Sequence, residues 1–195
     1  MTGLGLLTLG ISLSVISKLG TSPFDALLVG LYKTVGLSIG SWEVIIGGCM
    51  VLFNAIAEGR KPELLALLTS LVTGVGIDVW MHLLGNNVMP TSVVEQSLLL
   101  LLGLLLSGLG IAVYLQSNFA PIPIDRMMFV VKDLTGVTLP YSRALISIFL
   151  VILAFFFNGP IGVGTVLNAL FMGVLIHLFT PVSAKAIRKL RFTPS

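Results

Sequence analysis

The sequence predicts an all-α polytopic membrane protein: six transmembrane helices plus two short re-entrant half-helices, arranged as an inverted internal repeat. Three observations lead there. Hydrophobic residues make up 56% of the 195 positions and charged residues only 10%, against about 25% charge in an ordinary soluble domain. The chain matches itself at a displacement of 100 residues, so that Pro23 and Asp25 recur as Pro123 and Asp125. Each proline-aspartate pair opens an element of about a dozen residues, about 18 Å of helix, too short for a hydrocarbon core about 30 Å thick.

The elements follow in order. Apolar stretches at 1–18, 41–57, 63–84, 93–116, 140–157 and 162–182 are each about long enough to span and together leave no room for a soluble domain. The first has neither a basic flank nor a small-residue cleavage site and runs straight into TSPFD at Thr21, so it reads as a retained span rather than a signal peptide. It starts short relative to its twin, because residue 1 falls on residue 101 while the fourth stretch begins near Val93. The single cysteine, Cys49, excludes an intramolecular disulfide and reads as a packing residue.

The repeat rests on more than leucines, which coincide cheaply in so apolar a chain. Gly3, Gly10, Ser17, Pro23, Asp25, Gly36 and Gly59 fall on Gly103, Gly110, Ser117, Pro123, Asp125, Gly136 and Gly159; after a one-residue deletion, Gly74 and Ile77 fall on Gly173 and Ile176. The expected division is a first repeat at 1–84 containing the half-helix 23–34, a turn-rich linker GNNVMPTS at 85–92, a second repeat at 93–182 containing the half-helix 123–134, and a basic tail at 183–195. Charge decides the orientation. With three spans per half and the carboxyl terminus inside, Arg60, Lys61, Arg126, Lys132, Arg143, Lys185, Arg188, Lys189 and Arg191 are cytoplasmic, and only Lys18 and Lys33 lie outside. An odd number of spans per half inverts the second copy, a design common among secondary transporters, whose sites lie at the repeat interface beside broken helices.

Polar residues in the apolar stretches are the candidate site. Ser22-Pro23-Phe24-Asp25 has the grammar of a helix start, with a capping serine, proline in the first turn and an acid at the third position, so the plain reading is a cap. Asp125 fits that reading less well, because Ile122 stands where a cap belongs and Arg126 follows directly. At the amino end of a half-helix inside the bilayer, the same aspartates can hold a cation, a proton or a substrate group. Glu43 corresponds to Arg143, Asp78 to His177, and Thr69 to Asn168, nine residues earlier on the same face as Asp78 and His177. Glu43 and Arg143 lie near helix starts, which favours the membrane interfaces over a central ion pair. Asp78 and His177 are inset from the ends of their spans, where a charge is costly and a histidine can exchange protons; a hydrogen-bonded packing histidine is the plainer alternative. The paired glycines are accounted for by close helix packing, and the basic tail AKAIRKLRF by anchoring on anionic lipid.

No zinc motif, nucleophile elbow or phosphate loop is present, so no catalytic residue, metal site or cofactor is expected, and nothing supports nucleic-acid binding. The glycine-rich first span, then GTSPFDALLVGLYKTVGLSIGSWEVIIG and LLTSLVTGVGIDVW, resembles the uncharacterised bacterial integral membrane proteins of the YczE/YyaS/YitT type over essentially the whole chain. The residues that carry the resemblance are Gly20, Ser22, Pro23, Asp25, Gly36, Gly40 and Asp78, with a second copy at Pro123, Asp125, Gly136, Asn168 and His177; Phe24 stands where that group is expected to have tryptophan. The resemblance implies a multi-pass protein of the bacterial cytoplasmic membrane.

The expectation is a small ion-coupled transporter or exporter. Asp25 and Asp125 bind the coupling ion or orient substrate, Asp78 and His177 carry protons, and Arg126 or Arg143 supplies the counter-charge. A passive channel, or an accessory subunit that captures substrate or assembles with a partner, are the alternatives. Expected partners are the lipid bilayer and a small molecule or ion, with a second copy or a partner subunit left open.

Overall fold

The structure is a computed structural model that describes residues 2–116 and 122–191, with side chains in the last helix described as far as Lys185. Ser117 of the repeat and the side chains of Arg188, Lys189 and Arg191 in the basic tail lie outside the described residues. Among the described residues the fold is entirely helical: α1 (Thr2–Ile16), α2 (Pro23–Val35), α3 (Ile39–Glu58), α4 (Leu64–Leu84), α5 (Val93–Leu115), α6 (Pro123–Thr135), α7 (Leu139–Phe156) and α8 (Val163–Arg191).

Helix boundaries follow local chemistry. Ser38 caps α3 through its side chain, and Gly59 ends the helix in the left-handed region at φ 64°, a conformation glycine adopts without a Cβ penalty. Ser92 and Glu95 form a reciprocal capping box at the start of α5. Helix α8 runs unbroken through Pro181, so the basic tail begins as a continuation of the last span rather than as a separate segment.

Helices α3, α4, α5, α7 and α8 are long and apolar enough to cross a membrane. They turn large apolar side chains outward, Ile56 at 81% and Phe156 at 73% exposure among them, a surface suited to lipid rather than water. The expected first span is shorter than the sequence suggested. Helix α1 has 15 residues, about 22 Å, because Lys18 at φ 61° and Gly20 at φ 103° turn the backbone away from helix. It is mostly buried, between α5 and α4.

The α1–α5 crossing organises the centre. Gly3 meets Gly110, and Gly10 meets Gly103 and Ser107, so the two helices run antiparallel; a Cβ on Gly110 would lie 2.4 Å from Leu7 N, and one on Gly10 2.5 Å from Ser107 N. Only glycine permits backbones to approach so closely. Ser12 donates to the Thr8 carbonyl at 2.9 Å and Ser14 to that of Gly10 at 3.0 Å, so these hydroxyls are satisfied within their own helix where water is absent.

The two 13-residue helices, α2 and α6, interlock the halves. Helix α2 packs on α7 and α6 packs on α3, each on the second long helix of the opposite half. Asn54 of α3 donates to the Pro123 carbonyl at 3.1 Å, and Arg126 of α6 pairs with Glu58 of α3 at 2.7 Å.

The halves differ in one closure. Gly40 of α3 lies against Gly74 of α4, where a Cβ on Gly40 would come within 2.1 Å of the Gly74 carbonyl oxygen. Asp78 of α4 secures that contact, accepting from Ser38 Oγ at 2.5 Å and from Gly40 N at 2.8 Å. In the second half Pro140 stands for Gly40 and His177 for Asp78. Proline has no N–H to offer and its ring fills the space, and α7 and α8 are not packed along one another as α3 and α4 are.

Candidate functional site

A cavity of about 130 Å³ lies where the amino ends of α2 and α6 approach each other, room for several waters or a small solute. Its lining is drawn largely from matching positions of the two halves: Leu7 and Ser107, Ile11 and Ile111, Ser22 and Ile122, Phe24 and Ile124, Asp25 and Asp125, Glu43 and Arg143, and, past the deletion, Thr73 and Met172; Pro23 lines it and Pro123 does not. Ser147 and Asn168 add polar atoms on the α7 and α8 side.

The two aspartates are held differently. Ser22 Oγ accepts from Asp25 N at 3.1 Å and donates to Asp25 Oδ2 at 2.5 Å, so one hydroxyl caps α2 and fixes its acid. Ile122 has no side-chain oxygen to cap α6, and Tyr114 of α5 holds this helix start instead. Its hydroxyl accepts from Ile122 N at 3.2 Å and donates to Asp125 Oδ2 at 3.2 Å. Arg143 lies close enough to Asp125 for their charges to attract, so that end of the cavity is compensated.

The opposite end is not. Glu43, expected at a membrane interface, is 2% exposed and faces the cavity. No hydrogen bond or ion pair to a described residue holds it, and its charged neighbour is Asp25, itself 6% exposed. The correction has a local cause: Ser38 caps α3 five residues before Glu43, which carries the glutamate more than a turn into the helix, where it shares the cavity with Phe24 and Asp25 of α2. Arg143 likewise lines the cavity.

Other predicted site residues are elsewhere. Asp78 is engaged with Ser38 and Gly40 at the α3–α4 contact, so it braces two helices and does not line the cavity. His177 is on an exposed face of α8. Thr69 is fully buried and donates to the Leu65 carbonyl at 3.2 Å; its counterpart Asn168 does line the cavity. Arg126 turns away to Glu58, with Glu63 at 3.8 Å. Sequence reasoning missed Tyr114, whose one available signal was the absence of a capping residue at Ile122. It also missed Thr73, Ser107 and Ser147, single hydroxyls in apolar helices that the sequence does not separate from ordinary packing residues; Thr73 bonds back to the Thr69 carbonyl at 2.9 Å while lining the cavity.

Fold and cavity together define an integral membrane protein, all-helical among its described residues, with a cavity among its helices that carries several ionisable side chains. The chain belongs to the family of unknown function DUF6198, whose profile matches residues 1–181. It is similar to two Bacillus subtilis (strain 168) proteins: the uncharacterized protein YyaS, 46% identical over 92% of this chain and 90% of the relative, and the uncharacterized membrane protein YczE, 32% identical over 95% of this chain and 85% of the relative. An uncharacterized protein of Haemophilus influenzae (strain ATCC 51907 / DSM 11121 / KW20 / Rd) is 27% identical over 93% of this chain and 82% of the relative. No solved structure matches.

Proposed function

We propose that this protein is a small ion-coupled secondary transporter of the bacterial cytoplasmic membrane, with the cavity between α2 and α6 as its substrate site. The observation that carries the reading is the composition of the cavity wall: matching positions of both repeats, including the first-turn aspartates Asp25 and Asp125, converge on one space. Transporters built from inverted repeats place their sites at such an interface, with half-helix ends directed at the ligand.

The inverted arrangement itself, six crossings with α2 and α6 as re-entrant half-helices and the carboxyl terminus inside, is supported by the antiparallel α1–α5 crossing. There the pair Gly3 and Gly110 exchanges with Gly103 and Gly10 when the halves are swapped, the signature of a twofold relation. Entry is read at the unclosed side between α7 and α8. The α3–α4 pair, clasped by Asp78, would close the equivalent path.

Proteoliposomes loaded with a pH-sensitive dye and challenged with a panel of amines, carboxylates and sugars test this. Substrate-dependent proton movement is expected with the parent protein and is lost when Asp25→Asn or Asp125→Asn is introduced. Equal fluxes in parent and both variants would remove the cavity from the pathway, and ohmic conductance without coupling would replace the transporter by a channel.

A further inference from the structure

We infer that the Asp25–Glu43 end of the cavity binds a small organic cation with N–H donors and an apolar body, a protonated amine; the inference rests on the cavity being the substrate site. The first observation is the imbalance of charge. Three carboxylates, Asp25, Glu43 and Asp125, line the space against the single guanidinium of Arg143. That guanidinium attracts Asp125, which already accepts from Tyr114, so the remaining two carboxylates have no cation of their own.

The second observation is independent of the first. Glu43 is 2% exposed, faces the cavity, and has no hydrogen-bond partner among the described residues. A carboxylate removed from water without a partner is costly, and a donor-bearing cation supplies both the missing charge and the missing hydrogen bonds.

The form of the cation follows from the walls. Phe24, Ile11, Ile111 and Met172 present apolar surface around the acids, which suits an alkyl or aryl body and not a hydration shell. A bare metal ion needs several converging ligands, and no group of three acidic, histidine or cysteine side chains that could hold one occurs among the described residues. An anion would meet like charge at this end.

The experiment uses the full-length protein in detergent at neutral pH and follows its thermal unfolding midpoint with n-butylammonium, tetramethylammonium, butyrate and potassium as probes. A ligand that binds the folded state raises the midpoint with concentration. Butylammonium is expected to give a saturable rise, tetramethylammonium to need at least about tenfold more because it lacks donors, and butyrate and potassium to give none. The rise is expected to vanish in Glu43→Gln and in Asp25→Asn and to persist in Glu63→Gln, on the exposed loop before α4. Should Glu43→Gln not fold, Glu43→Asp and Asp25→Asn decide. A butyrate response that disappears in Arg143→Gln would overturn the cation while keeping the cavity as a site. A butylammonium response unchanged in Asp25→Asn would overturn the assignment to this end, and no response to any probe would overturn the cation together with the site.

Discussion

Tyr114 does for α6 what Ser22 does for α2, and from another helix. Each hydroxyl donates to the aspartate at the third position, while Ser22 accepts from the Asp25 N–H in the first turn and Tyr114 from the N–H of Ile122 just before α6, so the two helix starts are held by different means. Tyr114→Phe is expected to cost about 1–3 kcal/mol, the penalty for leaving a buried N–H and a carboxylate without their hydroxyl. Ser22→Ala is expected to cost about 1 kcal/mol as a lost cap; both are read as falls in the unfolding midpoint. The effects of Tyr114→Phe and Asp125→Asn should not add, because the two residues share one hydrogen bond. That Asp25 and Asp125 start helices was legible, since proline and a following acid are a local pattern. That one needs a tyrosine from the preceding helix was not, because the partner is eight positions away along the chain and depends on how α5 is rotated.

Among the elements, the α3–α4 closure and its missing counterpart between α7 and α8 set the two halves apart. Gly40→Ala is expected to destabilise by about 1–3 kcal/mol, since its Cβ would overlap the Gly74 backbone, a contact that cannot yield without separating the helices. Gly5→Ala is the contrast. Nothing lies within 4 Å of its Cβ position, so the exchange should be neutral or stabilising by up to about 1 kcal/mol through helix propensity. Thermal unfolding in detergent separates the two outcomes. The existence and extent of the long helices were readable from hydropathy, and α2 and α6 from their proline starts and short length. The fate of Asp78 was not. Its cost in an apolar helix is a property of position, whereas its relief by Ser38 and Gly40 depends on residues some forty positions earlier, so the contact it braces was not legible.

At the scale of the whole molecule, the antiparallel crossing of α1 and α5 leads to a prediction about topology. Lys61 and Ile161 occupy equivalent exposed positions of the two repeats, and inverted halves put them on opposite faces of the membrane. With Cys49 replaced by alanine, Lys61→Cys is expected to react with an impermeant thiol reagent only from the cytoplasmic side, and Ile161→Cys only from the outside; labelling of both from one side would make the repeats parallel. The sequence by itself determined the class of protein, the number and order of its apolar stretches, and the twin proline-aspartate starts. These follow from hydropathy, turn chemistry and self-similarity, which are properties of short windows of chain. Only the tertiary structure decided which polar residues meet: Glu43 and Arg143 with both aspartates in one cavity, Asp78, His177 and Arg126 away from it. The reason is physical. Where every outward face is equally apolar, hydropathy does not rotate a helix, and its facing is set by backbone contacts at glycines such as Gly10 with Gly103 and Gly40 with Gly74, which join distant parts of the chain.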